Sequence, residues 1–369
     1  MRAFRTVATP FLQTGLFVPS LPSAAARITR LAVAATALLC APALSLAQQP
    51  RSLDRVFVVV MENHGFDQTI GASDPGDASG AALSMPFTTM LAQRYGLATY
   101  YFGVAHPSLP NYLAMIAGDT FGIHSDTDSC FAPDHGATCV AGLNAPTIVD
   151  QLEDRHIAWE ALQESMPTAG FIGSRYPLAQ SGGPELYAQK HDPFLYFTAI
   201  ATNPARLQNI RPFDAAEFRD ELNDPQHMPR YVFITPNQCH DAHGLSGGPV
   251  PAGCGSDADV LKAADAFLQR TVTAIQKSPS FTDRSAIFVV WDENDFSSNA
   301  GCCGTPGGGH VAAIVVTKNG TPKTSSVPMS HYALLATIED GFGLPRLANA
   351  KNAVAMWSLF PDDASAAGD

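Results

Sequence analysis

Two segments of the chain, VFVVVMENHGFD at 56–67 and IFVVWDENDF at 287–296, end apolar β-branched runs in oxygen-rich pairs, Glu62-Asn63 and Asp292-Glu293. One acidic residue after a strand usually forms a turn or caps a helix. Two such pairs on one rim of a sheet would repel each other unless a cation sat between them. The segment AHPSLPNYLAMIAG, 105–118, adds a hydroxyl. Pro107 and Pro110 bracket Ser108, and Pro110 suits the first turn of a helix. Ser108 therefore stands just ahead of a helix N-terminus, where free amides and the macrodipole favour a phosphate or an alkoxide. A bound metal would lower the pKa of that hydroxyl and make it a nucleophile. The plain structural alternative is a helix cap.

Histidines complete the set. TPNQCHDAHG, 235–244, places His240, Asp241 and His243 within four residues after the apolar run YVFI, and GGGHVAAIVV, 307–316, lets backbone approach closely before His310. Neutral imidazole beside carboxylate suits a transition metal, and protonated imidazole suits phosphate. The remaining histidines, His191 among them, are assigned mostly to structure, with His64 and His124 as exceptions. The Glu/Asn/Asp/Glu set suits Ca, Mg or Mn, and adjoining histidines suit Zn or Fe, so the chemistry calls for a divalent metal ion without naming it.

Elements must carry these groups to one place. Short, nearly continuous apolar runs at 55–61, 97–102, 230–235, 285–291 and 311–317 read as strands covered on both faces. Helical patterns alternate with them at 110–117, 147–154, 193–202, 214–222, 256–278 and 330–340, with Ser256 as N-cap of the clearest. That alternation predicts an α/β fold with a mainly parallel sheet and helices on both faces. In such a sheet ligands bind where the strands' carboxyl ends open into loops, so both acidic endings should face one rim. Long loops at 71–86, 118–146, 173–193 and 244–256 would build walls above it.

The first 47 residues carry Arg2, Arg5, Arg27 and Arg30, no acid, and an apolar stretch ending Ser45-Leu46-Ala47, as in a secretory signal. The expected organisation is a signal peptide at 1–47, one domain at 48–355 and a flexible tail at 356–369. Removing the leader leaves 18 basic against 34 acidic residues, a net charge of −16. That charge argues against nucleic acid or an anionic membrane as partner. No later run approaches the roughly 20 apolar residues of a membrane span, so a periplasmic or secreted location without membrane insertion is expected. The six cysteines beyond the leader allow 15 pairings. Cys130 with Cys139 and Cys239 with Cys254 would close short loops, and vicinal Cys302-Cys303 is the harder case.

In this order, MENHGFD, HPSLPNYLAMIAG, ITPNQCHDAHG, WDENDF and GGHVAAIVV resemble the bacterial phosphoesterase family of acid phosphatases and phospholipases C, within the alkaline phosphatase superfamily, over about residues 55 to 345. The resemblance implies an alkaline-phosphatase-like sandwich. It implies Glu62, Asn63, Asp292 and Glu293 around metal, with Asp241 as a further ligand and Ser108 as nucleophile forming a phosphoserine. His106, His240, His243 and His310 would face phosphate or a second metal. The expected activity is hydrolysis of a small phosphate monoester at acid pH, with imidazolium helping to neutralise the phosphate. A phosphodiesterase or phospholipase C with the same site, and a non-catalytic phosphate- or metal-binding protein, are the alternatives.

Overall fold

The computed structural model describes residues 52–70, 84–136 and 138–362. The expected signal peptide, most of the loop at 71–86 and the last seven residues lie outside them. The described strands are β1 (Arg55–Met61), β2 (Gly96–Phe102), β3 (Trp159–Gln163), β4 (Arg175–Tyr176), β5 (Tyr187–Ala188), β6 (Ile210–Pro212), β7 (Tyr231–Thr235), β8 (Ser285–Trp291), β9 (His310–Thr317), β10 (Lys323–Ser325) and β11 (Met329–Ser330). One sheet runs β10-β2-β9-β8-β1-β7-β3-β6, with β11 also on β2, while β4 and β5 form a separate pair. Within the large sheet only β9 is antiparallel to its neighbours β2 and β8. The expected, mainly parallel sheet is therefore present.

Every residue of β1 and β8 is buried. Because successive side chains point to opposite faces, both faces of the sheet must be covered. The helix Asp257–Lys277 illustrates how sequence produces this cover. Ser256 caps it by accepting from the Asp259 amide, and Val260, Ala264, Phe267, Leu268, Thr271 and Ile275 form its buried stripe. Asp265 on the same helix accepts from the amides of Phe87 and Thr88, satisfying the start of the helix Pro86–Arg94. The helices Ser108–Ala117 and His331–Phe342 pack on each other, separately from that pair.

The structure departs from expectation in three places. A single helix at 193–202 is replaced by a 3-10 turn, Pro193–Tyr196, and a short helix, Thr198–Ala201. Leu143 breaks it: its amide donates to the Tyr196 carbonyl and its carbonyl accepts from the Thr198 amide, holding Phe197 extended. The short strands β3, β4, β5, β6, β10 and β11 were not anticipated; in β3, WEALQ hides Glu160 in a buried position where Arg211 of β6 neutralises it. Third, the packed chain continues beyond 355: Met356, Trp357, Leu359 and Phe360 are buried.

Candidate active site

Parallel pairing of β1 and β8 sets Met61 opposite Trp291, so Glu62-Asn63 and Asp292-Glu293 leave the sheet side by side. β7 ends next to β1 and leads to Asp241, whose carbonyl accepts from the Glu62 amide. β2 ends in the turn that leads to Ser108, and β9, running the other way, begins at this same rim with His310 paired to Phe102. Glycines stitch these loops together. Gly308 donates to the Gly103 carbonyl and Gly103 to that of Gly309, while a Cβ on Gly308 would lie 2.3 Å from the Ala105 carbonyl oxygen.

Ser108 opens the helix Ser108–Ala117. Its hydroxyl lies within donating distance of Glu62 Oε2 at 3.0 Å, Glu293 Oε1 at 3.2 Å and Asn63 Oδ1 at 3.4 Å. These oxygens close over it, and Ser108 is fully buried rather than exposed on the rim. Asn111, one turn along, fixes the approach. Its Oδ1 accepts from the amides of Val104 and Ala105, and its Nδ2 donates to the carbonyls of Ala105 and Pro107. The amide of Leu109 donates to Asp126 Oδ1. Asp292 Oδ1 accepts from the Asn63 amide, and the Asp292 carbonyl accepts from His331 Nε2.

A second group of donors adjoins the first through Glu62. Among the described residues, one set of three histidine, cysteine or carboxylate donors converges within 4.8 Å: Glu62, His191 and His243. His191 Nε2 is 3.3 Å from Glu62 Oε1 and His191 Nδ1 is 3.4 Å from Asp241 Oδ2. Yet Glu62 Oε1, Asp241 Oδ2, Asp292 Oδ2 and His191 Nε2 all lack a hydrogen-bond partner. Being close without hydrogen-bond alignment, while buried, is costly for four polar atoms at once. Oxygen and imidazole nitrogen facing one another in this way fit a divalent cation.

Electrostatics agree with that fit. Burial, then neighbouring charge, raises the carboxyls of Glu62, Asp292 and Asp241 well above the carboxylate range. Burial, then Lys190, holds His191 well below the usual imidazole value and His243 down to about 4. Both histidines are thus neutral and able to ligate, so His243 does not supply the imidazolium expected to oppose phosphate, whereas burial lowers the His106 ring but contact with Glu293 outweighs it and the net shift is upward. The buried cation at the site is Lys190, with Nζ 2.8 Å from Asp126 Oδ2 and 3.0 Å from His243 Nε2. Burial lowers its pKa, but Asp126 and Glu62 outweigh that and the net shift is upward.

The other expected residues divide. His106 Nδ1 contacts Glu293 Oε2, one carboxylate away from Ser108. His240 turns elsewhere, with Nδ1 2.9 Å from Glu164 and its ring over Phe267. His310 donates from Nε2 to the Thr99 carbonyl and stacks on Phe66 at 4.7 Å, so its contacts are with strand and aromatics. His64 is buried with Nδ1 against the Glu62 carbonyl, and His124 is exposed. Sequence reasoning missed Lys190, His191, Asn111 and Asp126. The one available signal was Lys190-His191-Asp192 before Pro193, inside a loop already marked as long. Both favoured disulfides, Cys130–Cys139 and Cys239–Cys254, are present, and the vicinal pair Cys302–Cys303, the harder case, is bonded as well.

Known proteins resemble this chain. The phosphate-repressible acid phosphatase of Penicillium chrysogenum is 33% identical over 259 residues, covering 70% of this chain and 54% of that protein. The acid phosphatase of Aspergillus fumigatus is 28% identical, covering 70% and 50%. This chain therefore spans about half the length of these fungal relatives. The phosphatidylinositol-3-phosphatase of Mycobacterium tuberculosis is 28% identical over 307 residues, 83% of each chain. Relatives thus come from fungi as well as a bacterium. Among solved structures, the PsFucS1 sulfatase of Pseudoalteromonas superposes with a TM-score of 0.52 at 14% identity, over 86% of this chain and 74% of that one. A protein in the alkaline phosphatase superfamily from Vibrio parahaemolyticus gives 0.50 at 12% identity, over 84% and 72%. These likenesses carry the fold. The sequence profile of the Phosphoesterase family matches residues 81–345, starting after Glu62-Asn63, and by that match the chain belongs to the Phosphoesterase family.

Proposed function

We propose that this protein is an exported, metal-dependent phosphomonoesterase of the acid phosphatase type, with Ser108 as nucleophile. The observation that carries the reading is the Ser108 hydroxyl at a helix N-terminus, ringed by Glu62, Glu293 and Asn63 beside four buried polar atoms that lack partners. Glu62, Asn63, Asp292 and Glu293, with His191, His243 and Asp241 adjoining, would hold divalent metal. Bound there, the ion supplies positive charge at the reacting oxygens and lowers the serine pKa.

The chain's own groups do the rest. Glu62 Oε2, 3.0 Å from the hydroxyl, is placed to take its proton as the Oγ–P bond forms, and the P–O bond to the alcohol breaks with a proton from solvent completing the departing alcohol. The positive end of the helix Ser108–Ala117 and Lys190 oppose the charge of the phosphoryl oxygens. Water then hydrolyses the phosphoserine. Acid phosphatases among the relatives support the monoester reading. The three disulfides support an oxidising compartment. Among the described residues no helix is long and apolar enough to cross a membrane.

A second reading keeps the chemistry and changes the alcohol. The phosphatidylinositol-3-phosphatase relative covers most of both chains and suggests an inositol-lipid head group as the leaving alcohol. Release of p-nitrophenol from its phosphate by purified protein, abolished by chelation and restored by added divalent ion, tests the main reading. A protein that turns over neither aryl phosphate nor head-group phosphate under any metal would be a binding protein instead.

A further inference from the structure

Phe296 follows the Asp292-Glu293 pair by three residues and is 58% exposed, although it is a large aromatic side chain. Single exposed hydrophobic residues are ordinary. This one differs in its backbone, its support and its neighbour. Its φ of 61° lies in the left-handed region that bulky residues avoid. Three attachments hold it there. The Phe296 amide donates to Asn294 Oδ1, Asn294 Nδ2 donates to Ser297 Oγ, and Gln68 Nε2 donates to Asp295 Oδ2. Asn294 is itself fixed by its amide, which donates to the Gly308 carbonyl in the glycine run.

The ring stacks on His106, with centroids 4.5 Å apart and planes inclined by 23°. His106 contacts Glu293, and Glu293 Oε1 is 3.2 Å from the Ser108 hydroxyl. His106 is further tethered through Nε2 to the Ser298 carbonyl. A continuous series thus runs from the buried hydroxyl to an aromatic face open to solvent. A phosphate held at Ser108 must point its ester oxygen outward, because the alcohol finds no room beside the fully buried Glu62, 3.0 Å from the hydroxyl.

We propose that Phe296 is the leaving-group platform of this enzyme, selecting phosphate monoesters whose alcohol carries a planar apolar group over those of small aliphatic alcohols. This rests on the phosphomonoesterase reading and names its substrate class. A planar group stacks on the open face of Phe296 and desolvates both surfaces, while a short alkyl chain covers little of the ring. His106, held between Phe296 and Glu293, keeps the platform in register with the reacting phosphate.

Benzyl phosphate and ethyl phosphate test this, because their alcohols are chemically similar as leaving groups and differ in the ring. Phe296→Ala should lower kcat/KM for benzyl phosphate about fivefold more than for ethyl phosphate, and Phe296→Trp should keep the preference. In parallel, equilibrium binding of benzylphosphonate against ethylphosphonate reads the ring contact without turnover and should show the same differential loss. Equal losses for both esters would mean that Phe296 merely supports His106, and no loss for either would also overturn the proposal. Loss confined to phosphatidylinositol phosphate in phosphatidylcholine vesicles, with benzyl phosphate unaffected, would replace the platform by a membrane contact. Wild-type protein that binds both phosphonates yet hydrolyses neither ester would sink the phosphomonoesterase reading, and the phosphonate differential would still decide the platform.

Discussion

Strand β1 begins and ends in buried charge, and its two ends treat that charge in opposite ways. At the start, the Arg55 guanidinium donates to the carbonyls of Pro229, Ser280, Pro225 and Met228. At the finish, seven residues later, Glu62 joins Asp241, Asp292 and His191 in leaving buried polar atoms without partners. One fold therefore satisfies a buried charge where only folding is at stake and withholds satisfaction at the other end. Folding alone does not select a cluster of unpaired carboxylates. The difference sets Arg55 apart as structural and is what the proposed ligand role of the Glu62 rim rests on.

The largest effect should separate chemistry from folding. Ser108→Ala is expected to lower aryl phosphate turnover by about 10^3-fold or more, while its thermal unfolding stays close to wild type, since only one hydroxyl is lost. Arg55→Ala should do the reverse in kind. Removing the donor to four carbonyls should cost about 3 kcal/mol in urea unfolding, with kcat per folded molecule retained. Equal loss of turnover in both variants would erase the contrast between the two ends.

Asp292→Asn sharpens the contrast further. In chelator the variant should be as stable as wild type or more so, because a buried carboxyl with one unpaired oxygen is replaced by a neutral amide. With divalent metal present, wild type should gain stability and the variant should gain less, as followed by melting temperature against metal concentration. Destabilisation of the variant in chelator would make Asp292 an ordinary structural group.

The smallest effect concerns Glu339, a buried carboxyl remote from both ends. Burial pushes it up to about 8, although the Leu347 amide donates to it. In the unfolded chain it titrates near its ordinary value, so between that value and about 8 the folded state holds a proton that the unfolded state has lost. Stability from this group is therefore full at low pH and declines as pH rises through that window. Glu339→Gln should flatten the slope and add on the order of 1 kcal/mol at pH 8, with little change at pH 4. An unchanged slope would remove Glu339 from the account.

Which of these features sequence could reveal follows from how local their causes are. β1 and β8 are apolar throughout and end abruptly, so the shared rim was readable, while their direct pairing came only with the structure. WEALQ was not read as a strand, because the Arg211 that neutralises Glu160 lies 51 residues away. The placement of His191 beside Glu62 and Asp241 depends on residues remote in sequence, and a lone loop histidine carries no periodicity to betray it. His240 and His310 show the converse: residue type and placement after or before a strand were right, and contacts with Glu164 and Phe66 decided their orientation. The burial of Ser108 needs oxygens from two other strand ends, so no reading of 105–118 alone could find it.

Ser108 is proposed to accept the phosphoryl group at a metal-dependent site. Acid-quenching the enzyme during turnover of an aryl phosphate and mapping the phosphorylated peptide by mass spectrometry tests it most directly. One added phosphoryl group, on Ser108, is expected, and none after chelation. An active enzyme that yields no phosphoserine, or carries the phosphoryl group on another residue, would contradict it.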